Sequence, residues 1–131
     1  MKIALIGYGK MGKEVERAAK LRGHTVCAII DRSDAAATHK EIDSGGNCLK
    51  DAEVVIDFTI PSAVIENIRK VTNAKKNMVV GTTGWYDGIT EAKQLVGQSG
   101  TGFIYSSNFS VGVNVFYRIV EAAAKLINKV P

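Results

Sequence analysis

The chain alternates between short runs of consecutive apolar residues and longer segments in which apolar residues recur at helical spacing. The apolar runs predict strands over residues 1–6, 25–30, 53–58, 77–80 and 102–105. The helical spacing predicts helices over residues 11–22, 61–73, 89–96 and 111–129. Uninterrupted apolar runs are typical of parallel strands that are buried on both faces. The pattern therefore predicts an α/β fold, a Rossmann-type doubly wound parallel sheet in a single three-layer domain.

Residues 32–51 carry neither pattern. The segment is small, polar and glycine-bearing, with Gly45, Gly46 and Asn47 side by side. This composition is typical of turns and irregular chain. We therefore expect a loop between the second and third strands, with at most a short helix in it.

The first 31 residues give a strand, a glycine-rich turn, a helix and a second strand, which is the start of a βαβ arrangement. The turn has the pattern G-x-G-x-x-G, made of Gly7, Tyr8, Gly9, Lys10, Met11 and Gly12. In such a turn the first glycine permits the bend, the second lets the backbone approach a pyrophosphate, and the third lets helix and strand pack closely. The positive end of the helix dipole then favours phosphate. The turn predicts a dinucleotide site, with a purely structural turn as the alternative.

An acidic residue stands where a dinucleotide-binding unit needs one. Asp31 ends the second predicted strand, 19 positions after Gly12. A carboxylate there accepts hydrogen bonds from the adenosine ribose hydroxyls and favours NAD. Arg32 follows directly, and an arginine there pairs with a 2′-phosphate and stacks on adenine, which favours NADP. The pair predicts use of both NADH and NADPH, with a solvated loop position as the alternative for Arg32.

Two further polar segments follow predicted strands, at the edge where open parallel sheets bind ligands. The fourth strand ends at Gly81, Thr82, Thr83 and Gly84. We expect the hydroxyls and amides of this segment to hold a nicotinamide amide or ribose. The fifth strand ends at Ser106, Ser107, Asn108, Phe109 and Ser110. Within that segment Asn108 offers amide donors and an acceptor, so a ligand contact is predicted there as well.

The composition argues against several classes of protein. The chain has 131 residues, 46% hydrophobic and 23% charged, with a formal net charge of +4. These values fit one globular domain and not a disordered chain or a coiled coil. No apolar run approaches the ~18 residues that indicate a membrane span. The basic residues are scattered, so neither a nucleic acid nor a membrane is an expected partner.

Metal and disulfide chemistry are not expected. His24 and His39 have no Cys, His or carboxylate at ligand spacing, so no metal site is predicted. The only cysteines are Cys27 and Cys48, which fits free thiols in a cytoplasmic protein.

Two residues at predicted strand ends are expected to be structural. Trp85, directly after Gly84, is predicted to be a packing or lid aromatic. Asp57, in Asp57-Phe58-Thr59, is predicted to be structural and not catalytic. The spacing indicates no Ser-His-Asp or Cys-His arrangement.

Taken together, four segments resemble the dihydrodipicolinate reductases (4-hydroxy-tetrahydrodipicolinate reductases) of bacterial lysine and diaminopimelate synthesis. The segments are residues 7–12, residues 57–59 with Pro61, residues 81–84 and residues 108–114. The resemblance implies hydride transfer from NADH or NADPH to the carbon–nitrogen-unsaturated ring of a heterocyclic dicarboxylate. It also implies cofactor contacts at residues 7–11 for pyrophosphate, 31–32 for the adenosine ribose, 81–83 for nicotinamide and 106–109 beside it.

The resemblance further implies a longer, two-domain protein. In the family a substrate domain follows the cofactor domain and builds a homotetramer, and a His-His pair, a nearby Lys and a Ser-Gly-Thr run lie in it. We therefore expect residues 1–131 to be the NAD(P)-binding domain, with 111–131 leading towards a substrate and oligomerisation domain. No catalytic residue and no turnover are expected from this chain alone.

The sequence also departs from the family pattern. Its glycine turn is one residue shorter than the usual G-x-x-G-R-M-G, and Lys10 replaces the arginine. Ser106 and Ser107 stand where Ala-Pro or Ala-Ala is usual. A Rossmann module that binds a nucleotide or senses redox state without catalysis is the alternative function. A homoserine or aspartate dehydrogenase would share the first motif but not residues 81–84 and 108–114 together.

Overall fold

Five parallel strands form one sheet in a computed structural model that describes residues 1–128. The strands are β1 (Lys2–Ile6), β2 (Thr25–Ile30), β3 (Val54–Asp57), β4 (Asn77–Val80) and β5 (Phe103–Tyr105). The helices are α1 (Lys10–Leu21), α2 (Pro61–Asn73), α3 (Ile89–Ser99) and α4 (Val111–Ile127). The strand order is β2-β1-β3-β4-β5, which is a doubly wound order. The structure thus confirms the predicted Rossmann-type α/β fold.

Helices cover the sheet on both faces and give three layers. On one face α1 packs over β1 and β2, where Ile3, Leu5 and Ile29 are buried. On the other face α2 and α3 pack together and bury Val64, Ile68, Val71 and Ala92 against the sheet. Pro61 opens α2 in its first turn, where its missing N–H has no helical partner to lose. The register places Ile6 beside both Ile30 and Asp57, so the strand ends lie in one row.

The predicted and observed elements agree closely. The 25–30 and 77–80 strands and the 61–73 helix have the predicted bounds, and the other strands differ by one residue at one end or, for the third strand, at both ends. The 89–96 helix runs on to Ser99, where Gly100 ends it with a φ of 70°. Residues 32–51 form the expected loop, with one 3₁₀ turn at Asn47–Leu49. Lys129, the predicted end of the last helix, lies outside the described residues.

The loop after β2 also adds an unpredicted contact to the sheet. His39 forms an isolated parallel bridge with Ile30. The Asp31 N–H donates to the His39 carbonyl at 3.0 Å, and Thr38 and His39 both donate to the Ile29 carbonyl. The loop therefore folds back along the edge of β2 and fixes the chain directly after Asp31.

The last helix, α4, exposes its apolar side chains. Val115, Phe116 and Ile119 are 50%, 59% and 61% exposed. Ser110 caps the helix by accepting a hydrogen bond from the Val113 N–H. The predicted amphipathic helix is thus present, and the large side chains of its apolar face are mostly exposed within residues 1–128. Across those same residues, no helix is both long and apolar enough to cross a membrane.

Candidate functional site

The predicted site lies at the carboxyl edge of the sheet, where β1 and β3 end side by side. The helix after β1 crosses one face of the sheet and the helix after β3 crosses the other, so a crevice opens between the two connections. One cavity there, of about 470 Å³, is lined by Gly9, Lys10, Met11, Phe58, Thr59, Pro61, Gly81, Thr82 and Thr83. A second, of about 630 Å³, continues towards β2 and includes Gly7, Asp31 and Arg32 in its wall. Both volumes fall in the usual range of ligand sites.

The three glycines of the turn have three different surroundings. Gly7 has a φ of +85°, and a Cβ there would overlap the Phe58 carbonyl oxygen. A Cβ on Gly12 would overlap the Gly7 carbonyl oxygen, so Gly12 lets α1 pack against the turn. Gly9 differs, because a Cβ there would meet no protein atom within 4 Å. Two glycines therefore serve the packing of the turn, while Gly9 leaves open space over the backbone on the cavity side.

The amino end of α1 faces this open space. Gly9 is the N-cap residue and has no side chain to bond the first-turn N–H groups, and the first turn has no acidic residue. Lys10 and Met11 begin the helix, are exposed and line the smaller cavity. The helix dipole and the N–H groups of the first turn make this end attractive to an anion. The open wall at Gly9 and this helix end together suit a pyrophosphate.

Asp31 is bonded to the glycine turn. Its Oδ2 accepts a 2.7 Å hydrogen bond from the Tyr8 N–H, and its Oδ1 accepts the N–H groups of Ser33 and Asp34 at 2.8 and 2.9 Å. These donors, with the Tyr8 N–H the largest contributor, hold the pKa of the Asp31 carboxyl well below its usual range. The carboxylate is therefore charged, and Oδ2 keeps capacity to accept a hydroxyl.

Tyr8 itself turns away from the crevice. Its ring is 7% exposed and packs in the core on the α1 face. Its hydroxyl donates to Glu16, and this bond and burial raise the pKa of the Tyr8 phenol to about 12. Tyr8 and Gly12 line neither cavity. The Tyr8 N–H is already donated to Asp31, so the predicted cofactor contact at Tyr8 has no direct geometric support.

Asp57 lies under the crevice and is fully buried. Its Oδ1 accepts the Thr59 hydroxyl at 2.8 Å, the Thr59 N–H at 3.0 Å and the Thr82 hydroxyl at 2.9 Å. Its Oδ2 accepts the Asn67 amide at 2.8 Å. Burial raises the pKa of the Asp57 carboxyl, and the hydrogen bonds partly oppose the shift.

This network corrects one expectation for the segment after β4. Of the hydroxyls predicted to hold a nicotinamide amide or ribose, that of Thr82 points inward, donates to Asp57 and accepts the Thr59 N–H at 2.7 Å. Thr83 is exposed at the cavity and keeps the predicted freedom to bind. A Cβ on Gly81 would overlap the Phe58 ring, so a larger residue there would require that ring to move.

The segment after β5 lies next to this one but lines neither cavity. The Ser106 N–H donates to the Val80 carbonyl at 3.3 Å, which places Ser106 beside Gly81. The Asn108 Oδ1 accepts the Ser110 N–H at 2.7 Å, so the predicted polar side chain helps to start α4. Ser107 and Phe109 are exposed, Phe109 by 46%. The structure brings the 106–109 segment near the crevice without placing it in the wall.

Comparison with known proteins gives the family. Residues 1–109 match the model of a family described as "Dihydrodipicolinate reductase, N-terminus". The chain belongs to this family. The motifs predicted the same family from the sequence.

Relatives in this family are about twice as long as the chain. The 4-hydroxy-tetrahydrodipicolinate reductase of Christiangramia forsetii is 36% identical over 97% of this chain and 50% of its own length. That of Staphylococcus epidermidis is 33% identical, over 97% of this chain and 52% of its own. Among solved structures, the dipicolinate-bound dihydrodipicolinate reductase of Paenisporosarcina sp. TG-14 has a TM-score of 0.73 at 22% identity, covering 95% of this chain and 53% of its own. The chain thus spans about half the length of the curated relatives it matches.

In this member of the reductase family, sequence reasoning missed part of the site wall. Phe58, Thr59 and Pro61 line the smaller cavity, and residues of α2 such as Ser62 and Glu66 line the larger one. The signal for Phe58 and Thr59 was available, because they directly follow a predicted strand. The contribution of α2 to the cavity wall could not be predicted from the sequence, because it depends on which strands are neighbours in the sheet.

Trp85 is a packing residue, as predicted. It is 4% exposed, its Nε1–H donates to the Thr82 carbonyl at 2.8 Å, and its ring lies 5.4 Å from that of Tyr105. Cys27 and Cys48 are free thiols. Within the described part of the chain, no group of three or more His, Cys, Asp or Glu side chains is placed to hold a metal ion.

Proposed function

We propose that this chain is the NAD(P)H-binding domain of a 4-hydroxy-tetrahydrodipicolinate reductase, which reduces 4-hydroxy-tetrahydrodipicolinate to tetrahydrodipicolinate in lysine and diaminopimelate synthesis. One observation carries the proposal. Four residues of the glycine turn (Gly7, Gly9, Lys10 and Met11) line one crevice with Asp31, Arg32 and Gly81–Thr83, which are distant along the sequence, at the point where the sheet connections diverge. The family to which the chain belongs supports this assignment.

The residues present suit a dinucleotide in an extended arrangement across the strand ends. Open space at Gly9 and the amino end of α1 suit the pyrophosphate. Asp31 at the end of β2 suits the adenosine ribose, and exposed Arg32 suits a 2′-phosphate. Gly81 and Thr83 at the end of β4 suit the nicotinamide end, with residues 106–109 beside it. When bound, the cofactor supplies the hydride, and these residues bind and orient it.

The relatives extend well beyond the matched region, and we propose that a substrate domain there binds the heterocyclic dicarboxylate and supplies the catalytic residues. Residues 111–131 lead towards it, and the 131-residue chain alone is then inactive. A homotetramer and a cytoplasmic location follow from the family resemblance.

Calorimetric titration of the 131-residue chain with NADH and with NADPH tests the cofactor assignment. We expect both to bind at sub-millimolar concentration, and failure of both to bind would overturn it. Robust reductase turnover by this chain alone would overturn the assignment of catalysis to the other half.

The coding sequence after Pro131 separates the reductase from the alternative function. A downstream His-His pair with a nearby Lys supports the reductase. An unrelated domain, or a stop codon directly after Pro131, favours a module that binds a nucleotide without catalysis.

A further inference from the structure

Asp57 is a buried carboxylate that joins three separate parts of the chain. It ends β3, accepts Asn67 from α2, and accepts Thr82 from the segment after β4. Thr82 is 25 positions away along the sequence, and Asn67 is 10. The hydrogen bonds of one side chain therefore set the spacing between two strand ends and a helix.

The groups that Asp57 holds belong to the wall of the crevice. Thr59 follows β3 and Thr82 follows β4, and both line the smaller cavity. The Thr82 hydroxyl also accepts the Thr59 N–H at 2.7 Å, so the two segments are bonded to each other as well as to Asp57. On the far side, the Thr82 carbonyl accepts the Trp85 indole N–H at 2.8 Å. Hydrogen bonds therefore link α2, Asp57, Thr82 and Trp85 in one continuous series.

The buried charge is costly, which points away from a merely stabilising role. Removing a carboxylate from water costs free energy unless hydrogen bonds or an opposite charge offset it. Asp57 has no side-chain exposure, and within residues 1–128 no Lys, Arg or His forms an ion pair with it. Only neutral donors hold it. An apolar residue of similar size would avoid this cost but would leave the Thr59 and Thr82 hydroxyls and the Asn67 amide without their acceptor.

We propose that Asp57 is a positioning residue that fixes the segments after β3 and β4 in the conformation that receives the nicotinamide end of the cofactor. The proposal rests on the proposed function for the direction in which the cofactor lies. Across the sheet, Asp31 lies at the end of β2 and Thr82 beyond the end of β4, with β1 and β3 between them. Asp57 therefore acts on the nicotinamide end and leaves the adenosine end unchanged.

Binding of NADH and of ADP distinguishes effects at the nicotinamide end of the site from effects at the adenosine end. NADH reaches both, whereas ADP has neither the nicotinamide nor its ribose. Asp57→Asn keeps the shape but removes the charge and replaces one of the two acceptor oxygens by an NH2 donor, and we expect it to weaken NADH binding about tenfold while ADP binding stays within about twofold. Thr82→Val removes the linking hydroxyl and should behave in the same way. An equal loss for both ligands would overturn the proposal, because it would indicate a general scaffold role.

Thr72→Val is the matched control for Thr82→Val. Both threonines are buried, at 3% and 5% exposure, but the Thr72 hydroxyl donates back to the Ile68 carbonyl inside α2. We expect Thr72→Val to leave the affinity for both ligands unchanged. If Asp57→Asn does not fold, as judged by circular dichroism, the pair of threonine variants decides the question alone.

Tryptophan emission, measured without ligand, tests the positioning role of Asp57 independently of the proposed function. Trp85 is the only tryptophan of the chain, so its emission reports the segment after β4 directly. We expect Asp57→Asn and Thr82→Val to shift that emission and Thr72→Val not to. If the unaltered chain does not bind NADH, the cofactor assignment fails, and an emission shift would still support positioning by Asp57. Unchanged emission and unchanged NADH affinity in both variants would overturn it.

Discussion

The Tyr8 N–H donates a 2.7 Å hydrogen bond to Oδ2 of Asp31, and this bond joins the glycine turn to the end of β2. The two parts of a dinucleotide site are thereby fixed relative to each other. The same carboxylate orders the chain after β2 by accepting the Ser33 and Asp34 N–H groups. Asp31 is therefore a structural residue of the site as well as a candidate ligand of the ribose.

Replacement of Asp31 by Asn should lower both stability and affinity. The variant loses charge-assisted bonds from backbone donors, and we expect a decrease of about 1–2 kcal/mol in the free energy of unfolding at pH 7. NADH binding should weaken at the same time, because the turn and the ribose acceptor are both disturbed. Chemical denaturation and calorimetric titration measure the two effects.

The stability difference between the unaltered chain and Asp31→Asn should depend on pH. The pKa of Asp31 is lower in the folded state than its ordinary value of ~3.9. The contribution of Asp31 to the free energy of unfolding is therefore complete above that value and is lost as pH falls below it. The difference in melting temperature should narrow below about pH 4. Asp51→Asn, at an exposed position, is the control. A difference that stays constant between pH 7 and pH 3 would contradict this account of Asp31.

Gly9→Ala should affect binding without affecting the fold. Gly9 has a φ of −74°, which alanine tolerates, and its Cβ would meet no protein atom. The added methyl group would instead occupy space assigned to the pyrophosphate, and we expect NADH affinity to fall by ~10-fold or more. Titration of folded variant protein measures this.

Gly97→Ala is the matched control for Gly9→Ala. It makes the same change in α3, again with open space around the Cβ. We expect it to raise stability by about 0.5–1 kcal/mol and leave binding unchanged. Equal NADH affinity in the two variants would place the pyrophosphate elsewhere.

Arg32→Ala should reduce NADPH affinity more than NADH affinity. Arg32 is exposed beside Asp31 at the larger cavity, and only NADPH carries the 2′-phosphate that it would pair with. A change of about tenfold in the ratio of NADPH affinity to NADH affinity corresponds to a difference of ~1.4 kcal/mol in binding free energy. Arg22→Ala, at the exposed end of α1, should change neither affinity. Equal losses for both cofactors would assign Arg32 to another part of the ligand.

The exposed face of α4 should make the 131-residue chain self-associate. Val115, Phe116 and Ile119 are each at least half exposed, and contiguous apolar surface of this kind favours association. Sedimentation at several concentrations should show a concentration-dependent increase in mass. Combined Phe116→Ser and Ile119→Ser should reduce it, whereas Arg118→Gln should not. A clean monomer at all concentrations would refute this expectation.

The elements of this fold were predictable because apolar periodicity reports burial directly. The continuous run at residues 25–30 forms a strand whose second half is buried, and the spacing over 61–73 matches the buried face of α2. The roles of the glycine turn and of Asp31 could be predicted for a related reason. Their roles depend on short-range geometry between neighbouring elements of one unit.

The features that could not be predicted from the sequence depend on contacts between residues that are distant along the chain. The bridge between His39 and Ile30 is formed by backbone groups and leaves no side-chain pattern. The inward direction of the Thr82 hydroxyl follows from the position of Asp57 on the neighbouring strand. The periodicity of α4 predicted an apolar face correctly but does not specify what covers that face.

The most direct test of the site is a map of backbone amide chemical shifts in the 131-residue chain during titration with NADH. The account predicts that the largest changes fall on Gly9, Lys10 and Met11, on Asp31 and Arg32, and on Gly81 to Thr83, with little change in α3. Shifts confined to α3 or to the exposed face of α4, with the glycine turn unaffected, would contradict the assignment of the crevice as the cofactor site.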